Sequence, residues 1–468
     1  MSKLSPARKL SLDVLMEADR RGMYARDVLS SRASAKAIDQ RDSAFAARLA
    51  LGVAATQGIL DELLDQFLDK PKKVAPRVRM ALRISVFEML YLHTPGRVAV
   101  SQGVELVRCG AKSAAGLANA VLHKVADNVE DFATASDVDE SERRLVRLSR
   151  LMGLPRWLCA RIMASFDTPG GALNFAGNLA PAPLALHENA FATKPDPYIS
   201  QLVAPVFPGC HAPVDAQVTV ASGVFERAAA VASDLNAQLI ATAATRPGRC
   251  LEIGAGRGTK TYVMMCQAKR AGYERQHTAL DLHDRKCDLN LARLHKAGIQ
   301  GVRTVSGDAC ELDEVLTSFD AMLGEPVKFD TVFIDAPCSG TGTMRRHPEI
   351  PWRLTENDVT TELPRLQLAM LKEAAVRVAA GGELIYATCS VFDEENTQVV
   401  DAFLASPKGA GFTMAPLSGA QILQLPDFEQ AKKLVSVRQN DRGLFQSVPV
   451  NADSYDGHFC ARLVRQSS

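Results

Sequence analysis

Two cysteines stand directly after short apolar runs, in settings that suit a thiol nucleophile. Cys338 ends the motif Asp-Ala-Pro-Cys that begins at Asp335, and Cys389 lies between a threonine and a serine. A single cysteine is most often a small buried apolar residue, but two at the ends of apolar runs point to chemistry. Because the thiolate is the reactive form, we expect the surroundings to lower the pKa of the nucleophile.

One reaction that needs this set of groups is the methylation of carbon 5 of cytosine. Carbon 5 is a poor nucleophile until a thiolate adds to carbon 6, and this covalent route divides one difficult step into easier ones. A carboxyl near ring N3 would offset the charge that develops there, a task that suits Asp335. A second basic group must then remove the proton from carbon 5, and Cys338 is a candidate.

A glycine-rich loop follows an earlier apolar run. Glycines let the backbone turn tightly and approach a ligand closely. A dinucleotide-binding fingerprint would need glycine at position 259, where this chain has threonine. The acid-x-Gly-x-Gly-x-Gly spacing is typical of S-adenosylmethionine methyltransferases, and the alternative is an ordinary glycine turn. The predicted cofactor-binding residues of this loop are Gly254, Ala255, Gly256, Arg257, Gly258, Thr259 and Lys260.

Three aspartates follow successive apolar runs after this loop. Asp281 can accept hydrogen bonds from ribose hydroxyls, as acids at this position do in related folds. Asp308 is a candidate partner of the adenine amino group, and Asp335 completes the predicted cofactor site. Each aspartate alone could equally cap a helix, but the series favours a nucleoside site.

The elements that must position these residues alternate from about residue 249 onward. Apolar runs predict strands at 250–253, 278–281, 302–305, 331–335 and 383–387, and amphipathic patterns predict helices at 284–296 and 363–380. This alternation predicts a doubly wound parallel α/β sheet of the Rossmann-like kind. The carboxyl ends of parallel strands meet at one edge, so we expect the named residues to converge there.

The first 130 residues show helical periodicity and no strand pattern. We predict an all-α domain of about five or more helices. The most apolar stretch of this region, near 44–60, is too short and too polar to span a membrane. This part holds 20 Lys and Arg against 14 Asp and Glu, whereas the remainder holds 34 against 39. The segment 70–83 contains six basic residues and no acid. It suits contact with phosphates, although a solvated face is the alternative.

The chain between these regions is less regular. An acidic, polar stretch at 131–145 suggests a linker, a helical stretch follows at 145–166, and residues 169–213 are rich in proline and glycine. The predicted division is therefore 1–130 as an all-α domain, 131–215 as a helical linker with a small α+β subdomain, and 216–468 as the Rossmann-like domain.

Composition excludes several classes of protein. With 47% hydrophobic and 23% charged residues over 468 positions, the chain is long enough for two or three globular domains. Its ten cysteines include no Cys-x-x-Cys pair, which argues against a zinc site and a disulfide scaffold. We expect a cytoplasmic monomer that binds neither membranes nor metals.

The motifs resemble those of the Nop2/Sun family of RNA cytosine-C5 methyltransferases, and most of all its bacterial members that modify 16S ribosomal RNA. The resemblance spans nearly the whole chain and includes the segments 155–158, 347–352, 394–396 and 456–459. It implies that residues 1–130 form a NusB-like RNA-binding domain. It also implies S-adenosylmethionine as cofactor and RNA, most of all 16S ribosomal RNA, as substrate.

The resemblance further implies a role for each cysteine. Cys389 takes the place of the family's nucleophile, and Cys338 that of the cysteine that assists product release. The family loop usually ends Pro-Gly-Gly-Lys, so Arg257 and Thr259 are departures, and Thr259 reduces backbone freedom. Two alternatives stay open: the same reaction on another RNA such as transfer RNA, and a non-catalytic RNA-binding or ribosome assembly factor.

Overall fold

The computed structural model describes residues 4–33, 39–166, 175, 182–202 and 205–467. These residues divide into two compact units, and each is described by itself. The first unit falls within Met1–Leu179 and Met344–Glu356, and the second within Ala180–Thr343 and Asn357–Ser468. A short segment late in the sequence, 344–356, thus belongs to the unit of the N-terminal helices. Parts of the predicted proline- and glycine-rich region lie outside the described residues.

The first unit is helical, as predicted for residues 1–130. Its helices are α1 (Pro6–Arg21), α2 (Ala25–Ala33), α3 (Gln40–Asp65), α4 (Pro76–Leu90), α5 (Gly96–Arg108), α6 (Ala115–Thr134), α7 (Glu140–Met152), α8 (Arg156–Ser165) and Ile350–Arg353. One core joins α1 to α6, and in it Leu12, Leu60, Leu82 and Leu122 are fully buried. This burial supplies the main stabilisation of the unit.

Helix α3 is the longest helix of this core. Asp39 caps it by accepting a hydrogen bond from the Asp42 backbone N–H at 2.8 Å. Among the described residues, α3 alone is long and apolar enough to cross a membrane by composition. Its face with Leu49 and Val53 is buried in the unit, as expected of a core helix.

The helices after α6 begin and end elsewhere than the composition suggested. Helix α6 runs to Thr134 and α7 begins at Glu140, so the connection is shorter than the predicted linker at 131–145. The predicted helical stretch at 145–166 is two helices, α7 and α8. Gly153 ends α7 in the left-handed conformation at φ 70°, and Pro155 starts α8, which explains the break.

The basic segment 70–83 is only partly available to phosphates. Arg79 and Arg83 both form ion pairs with Asp61 of α3, at 2.9 and 2.6 Å. Arg77 pairs with Asp13 of α1 at 3.2 Å. Acids on neighbouring helices therefore neutralise three of the six cations, while the three lysines, Lys70, Lys72 and Lys73, are exposed.

The second unit begins with a small antiparallel sheet. Its strands are β1 (Leu186–Glu188), β2 (Cys210–His211) and β3 (Ala230–Ala232), in the order β2-β1-β3. Because β3 pairs with β1 along its length, this small sheet extends beyond residue 215, where the predicted subdomain ends.

The large sheet of the second unit has the predicted Rossmann-like core. Its strands are β4 (Gly248–Ile253), β5 (Arg275–Asp281), β6 (Val302–Ser306), β7 (Phe329–Asp335), β8 (Val378–Thr388), β9 (Phe412–Ala415), β10 (Phe445–Ser447) and β11 (His458–Arg465). The order is β10-β11-β8-β7-β4-β5-β6, with β9 also paired to β11. Strands β4 to β8 are parallel, and β9, β10 and β11 are antiparallel additions.

Helices cover both faces of this sheet. Those of the second unit are Ala216–Ala221, Leu235–Ala243, Thr259–Arg270, Asp284–Lys296, Leu312–Val315, Thr317–Leu323, Leu363–Val376, Thr397–Leu404 and Glu429–Ser436. The helix predicted at 284–296 has those bounds. The helix predicted at 363–380 ends earlier, at Val376, because β8 begins at Val378. Val332 and Leu384 on one face and Phe333 and Ile385 on the other are fully buried.

Shorter helical turns occur in both units. Those of the 3-10 type are Pro71–Lys73, Lys112–Ala114, Ile199–Gln201, Thr341–Thr343, Asp393–Glu395, Leu417–Gly419, Gln421–Gln424 and Pro426–Phe428, and Asp358–Glu362 is a π-helical turn.

Candidate active site

The parallel strands bring the predicted residues to one edge of the sheet. Strand β7 ends at Asp335, which pairs in register with Ala387 of β8. Cys338 therefore lies in the loop after β7, and Cys389 lies directly after β8. The first cysteine loop comprises residues 335–342, and the second cysteine loop comprises residues 388–396.

The two thiols are in contact. The Cys338 and Cys389 Sγ atoms are 3.3 Å apart, within the range of a thiol hydrogen bond. The Cys389 backbone N–H also donates to the Cys338 sulfur at 3.3 Å. Both side chains are half-buried. The chain thus forms a thiol pair from residues 51 positions apart.

The environment shifts the two thiol pKa values in opposite directions. The hydrogen bond from Cys338 lowers the pKa of Cys389, and Lys260 and Thr343 lower it further against the opposing effect of burial. The same hydrogen bond, together with burial, raises the pKa of Cys338 well above its ordinary value. Cys389 is therefore the thiol that ionises first.

Lys260, the last residue of the predicted cofactor loop, lies beside Asp335. Its Nζ is 2.6 Å from Asp335 Oδ2, in a charge-assisted hydrogen bond. Burial alone would lower the pKa of Lys260, but Asp335 and Cys389 raise it, so the ammonium stays charged. The sequence assigned Lys260 to the cofactor, and the structure also connects it to the Asp335 carboxyl.

Close backbone contacts fix the first cysteine loop. The Gly342 N–H donates to the Cys389 carbonyl at 2.8 Å, and the Gly457 N–H donates to the Gly342 carbonyl at 2.9 Å. A Cβ at Gly342 would lie 2.3 Å from the Gly457 oxygen, so no larger residue fits. The late motif 456–459, noted in the sequence for its resemblance alone, therefore supports both cysteine loops.

The backbone of the cofactor loop, here called the cradle, has no room for a side chain at Gly254 or Gly258. Gly254 has φ 78°, and a Cβ there would lie 2.3 Å from the Asp335 carbonyl oxygen. Gly258 has φ 79°, and a Cβ there would lie 1.9 Å from Asn290 Oδ1. Asp281, which is buried, accepts a hydrogen bond from the Gly256 N–H at 2.9 Å. The glycines are therefore required by the shape of the loop.

The departure at Thr259 does not disturb this loop. Thr259 is the first residue of the helix Thr259–Arg270, where its backbone is helical and needs no glycine. Its hydroxyl accepts a hydrogen bond from Arg293 Nη1 at 2.6 Å. Threonine at position 259 restricts the backbone, as expected, but this has no structural cost. The left-handed conformations of the loop are confined to Gly254, Gly256 and Gly258.

Two acids and one leucine border the cradle. Asp281 also accepts a hydrogen bond from the His283 N–H at 3.0 Å, and exposed Asp308 accepts from the Cys310 N–H at 2.8 Å. Leu282 is 61% exposed although it is apolar. The sequence reasoning missed Leu282, whose signal was an apolar residue directly after the acid that ends β5.

Comparison with known proteins identifies the family to which this chain belongs. Residues 240–463 match the family model described as 16S rRNA methyltransferase RsmB/F, and residues 5–127 match the NusB family. Ribosomal RNA small subunit methyltransferase B of Thermus thermophilus is 31% identical over 402 residues, covering 85% of this chain and 87% of that protein. The chain belongs to this methyltransferase family.

Further relatives of the family support the assignment over most of the chain. The probable ribosomal RNA small subunit methyltransferase B of Bacillus subtilis is 26% identical over 414 residues, covering 86% of this chain and 89% of that protein. The crystal structure of PH0851 shares the fold at a TM-score of 0.73 and 19% identity, covering 99% of both chains. As an RsmB/F-family member, the chain is an S-adenosylmethionine-dependent RNA methyltransferase with an N-terminal NusB domain.

The cofactor of the RsmB/F family fits the residues of this edge. A Cβ added at Gly256 would meet no atom closer than 3.9 Å, so the middle of the loop is open to a ligand. Asp281 and Asp308 offer acceptors for a nucleoside, and Leu282 offers an apolar surface. Among the described residues, no group of three or more His, Cys, Asp or Glu side chains is arranged to hold a metal ion.

Proposed function

We propose that this enzyme methylates carbon 5 of a cytosine in RNA, most of all in 16S ribosomal RNA, through a covalent bond between Cys389 and carbon 6. The observation that carries the proposal is the pair of thiols 3.3 Å apart beside the Lys260–Asp335 pair. Methylation of an exocyclic nitrogen or a ribose oxygen would need no thiol pair. Addition to a ring carbon needs one thiol to add and a base to complete the reaction.

Cys389 is the nucleophile of this proposal. Its thiolate forms a bond to carbon 6, and the electron pair of the carbon 5–carbon 6 double bond moves toward carbon 5 and N3. The lowered pKa of Cys389 increases the fraction of thiolate near neutral pH. Cys338 donates a hydrogen bond to that thiolate and stabilises it before the attack.

Asp335 and Lys260 act on the opposite side of the ring in this proposal. Charge that builds on N3 during the addition is offset by a proton that the Asp335 carboxyl takes up from solvent when the base binds, shares with N3, and takes back when the ring double bond is restored. The Lys260 ammonium, 2.6 Å from that carboxyl, fixes its orientation. Their preorganised arrangement requires little movement during the reaction.

Cys338 completes the reaction. In the covalent adduct Cys389 no longer accepts its hydrogen bond, and Cys338 can release its proton to solvent. The resulting thiolate takes the proton from carbon 5 as a general base. The electron pair left behind restores the ring double bond, and Cys389 leaves as a thiolate.

The cofactor supplies an electrophilic methyl group. We assign its binding to the backbone of Gly254, Ala255, Gly256, Arg257, Gly258 and Thr259, to the first turn of the helix that begins at Thr259, and to Asp281, Asp308 and Asp335. The exposed Leu282 provides an apolar contact for a purine. Lys260, held by Asp335, borders both the cofactor residues and the thiols.

The substrate base must leave its stack before a thiol can reach carbon 6, so we propose that the RNA presents an extruded cytosine. The NusB domain would add affinity through backbone contacts, to which exposed Lys70, Lys72 and Lys73 contribute positive charge. Such a substrate places the reaction in the cytoplasm.

Transfer of a labelled methyl group tests the proposal. Purified enzyme and unmodified 16S ribosomal RNA should yield 5-methylcytosine, and bisulfite sequencing should locate it. Cys389→Ala should transfer no methyl group and form no adduct, whereas Cys338→Ala should accumulate RNA-linked protein visible as a gel shift. Cys109→Ala, which changes an exposed cysteine of the helical unit, should behave as wild type.

Each outcome discriminates between the alternatives. Labelling of transfer RNA alone would move the reaction to another substrate. Methyl transfer without 5-methylcytosine would refute the carbon-5 chemistry, and an adduct in Cys389→Ala but not in Cys338→Ala would reverse the two cysteines. Absence of any transfer by wild type would favour the non-catalytic binding factor.

A further inference from the structure

Glu395 is a carboxyl that the protein buries completely. Its Oε1 accepts hydrogen bonds from the Ser339 N–H at 2.7 Å and from Gln367 Nε2 at 3.1 Å. Its Oε2 accepts from the Ser339 and Ser390 hydroxyls, both at 2.5 Å. None of these partners is a cation. A buried carboxylate is costly even with such donors, so its presence calls for a purpose beyond packing.

The partners of Glu395 are the residues next to the two thiols. Ser339 directly follows Cys338, and Ser390 directly follows Cys389, so one carboxyl joins the first cysteine loop to the second. Gln367 also donates to the carbonyl of Pro337, at 2.9 Å, and so holds the residue before Cys338. The backbone hydrogen bond from Gly342 to Cys389 also joins these loops, and Glu395 adds a side-chain link between the residues that follow the two thiols.

Asn396 holds the second cysteine loop from the other side. Its Oδ1 accepts from the Thr388 hydroxyl at 2.6 Å, and its Nδ2 donates to the Ser390 carbonyl at 3.0 Å. Asn396 thus shapes the turn around Cys389 without carrying a charge. Glu395 differs in reaching both loops and in placing a carboxyl behind the thiols.

We propose that Glu395 is a positioning residue that clamps the two cysteine loops together and keeps Cys338 protonated, so that Cys389 is the nucleophile. The inference rests on the proposed function and explains how that function selects one of two similar thiols. A negative charge near a thiol disfavours its ionisation, and Glu395 contributes to the raised pKa of Cys338. Burial raises the pKa of Glu395 above its ordinary value, and the hydrogen bonds from both serines and Gln367 oppose this rise by favouring the charged form.

Other titratable groups face the thiols but do not duplicate this effect. Asp335 and Lys260 are paired with each other, and they act on Cys389 in opposite directions. Tyr386 lies near Cys338 with its hydroxyl donated to the Glu395 carbonyl at 2.6 Å. Substitution of Glu395 alone therefore isolates the contribution of its charge.

Two variants separate the effect of the Glu395 charge from the effect of its side-chain length. Glu395→Gln keeps the length and removes the charge, whereas Glu395→Asp keeps the charge and is too short to hold both serines. Alkylation with iodoacetamide over a pH series, with the labelled cysteines identified by mass spectrometry, measures the two thiols without requiring activity. Wild type should label Cys389 at lower pH than Cys338. Glu395→Gln should reduce the Cys389-to-Cys338 labelling ratio about tenfold, the effect of roughly one pKa unit.

Glu395→Asp should keep the labelling ratio and slow methyl transfer. The control is Asp393→Asn, which removes an exposed carboxylate from the same 3-10 turn and should change neither quantity. Calorimetric binding of S-adenosylmethionine shows that each variant is folded. An unchanged ratio in folded Glu395→Gln overturns the inference, and so does an equal loss of reactivity at both thiols.

A variant of a neighbouring residue covers the case in which Glu395→Gln does not fold. Gln367→Met removes the donor to Glu395 and Pro337 but leaves the buried charge. It should keep the labelling ratio and slow methyl transfer, and a changed ratio would refute the role of the charge. Failure of wild type to methylate RNA would overturn the proposed function instead, because the labelling ratio would still be measurable.

Discussion

At the scale of single residues, Lys260 has two anionic neighbours, the Asp335 carboxylate and the Cys389 thiolate. Lys260→Met should remove the ammonium that helps to lower the pKa of Cys389. Thiolate forms as the pH rises through that pKa, so the acidic limb of the activity profile should shift to higher pH. Single-turnover methyl transfer at about pH 7 should fall about tenfold or more and recover partly at about pH 9.

Lys269→Met is a matched control for this prediction, because it removes an exposed lysine from the same helix, Thr259–Arg270. It should leave both the pH profile and the rate unchanged. A uniform loss of rate in Lys260→Met, with no shift along the pH axis, would show that Lys260 acts through the orientation of Asp335 alone.

The grouping of single residues was predictable where the chemistry restricts the choice of side chain. Two cysteines and an aspartate after apolar runs made Cys338, Cys389 and Asp335 candidates, and the structure brings them to one edge of the sheet. The place of Glu395 could not be predicted, because its partners lie up to 56 positions away and only the fold brings them together. The serine after each cysteine was the available signal.

At the scale of elements, the central strands were predictable because burial on both faces gives continuous apolar runs. Strands β4 to β8 each contain the corresponding predicted segment. The antiparallel strands β9, β10 and β11 were not predicted. Strands β9 and β10 are only four and three residues long, and β11 mixes polar and apolar residues, so none gives a strong period.

The cofactor loop gives a prediction at this scale. Gly254→Ala should abolish measurable cofactor binding, because the added Cβ would lie 2.3 Å from the Asp335 carbonyl oxygen at the end of β7. The strand end cannot yield without moving Asp335 itself. Calorimetric titration with S-adenosylmethionine measures the loss directly.

Gly301→Ala separates this clash from backbone strain. Gly301 has φ 80°, close to that of Gly254, but a Cβ added there would meet no atom within 4 Å. Both substitutions should cost about 1–2 kcal/mol of unfolding free energy for the left-handed backbone. Only Gly254→Ala should lose the cofactor, and equal affinities in the two variants would contradict the proposed cradle.

At the scale of the whole molecule, the 344–356 segment could not be placed from the sequence. In the sequence, part of it, 347–352, was noted for its resemblance alone. In the structure it packs within the unit of the N-terminal helices. Trp352 Nε1 donates to the Ala55 carbonyl of α3 at 2.7 Å, and Glu349 Oε1 accepts from the Ala25 N–H at 2.6 Å. Because these partners lie about 300 positions apart in the sequence, no local sequence pattern predicts their contact.

This packing predicts a specific coupling between Trp352 and Gly58 in the middle of α3. A Cβ at Gly58 would lie 1.9 Å from the Trp352 ring, so Gly58→Ala should destabilise the unit. Trp352→Ala should lower its unfolding free energy by about 2–4 kcal/mol, because a large ring and its hydrogen bond are lost. In the Trp352→Ala background, however, Gly58→Ala should stabilise by about 0.5–1 kcal/mol, because alanine favours the helix interior over glycine.

Urea unfolding of the four proteins measures this reversal of sign. The fluorescence of Trp157 in α8, the other tryptophan of the chain, reports on the same unit in every variant. Non-additive free energies show that the two positions are in contact. If Gly58→Ala destabilised both backgrounds equally, the ring would not occupy the space that glycine leaves, and the 344–356 segment would not be anchored on α3. A positive result would establish that the sequence directly after the first cysteine loop is part of the helical unit's core.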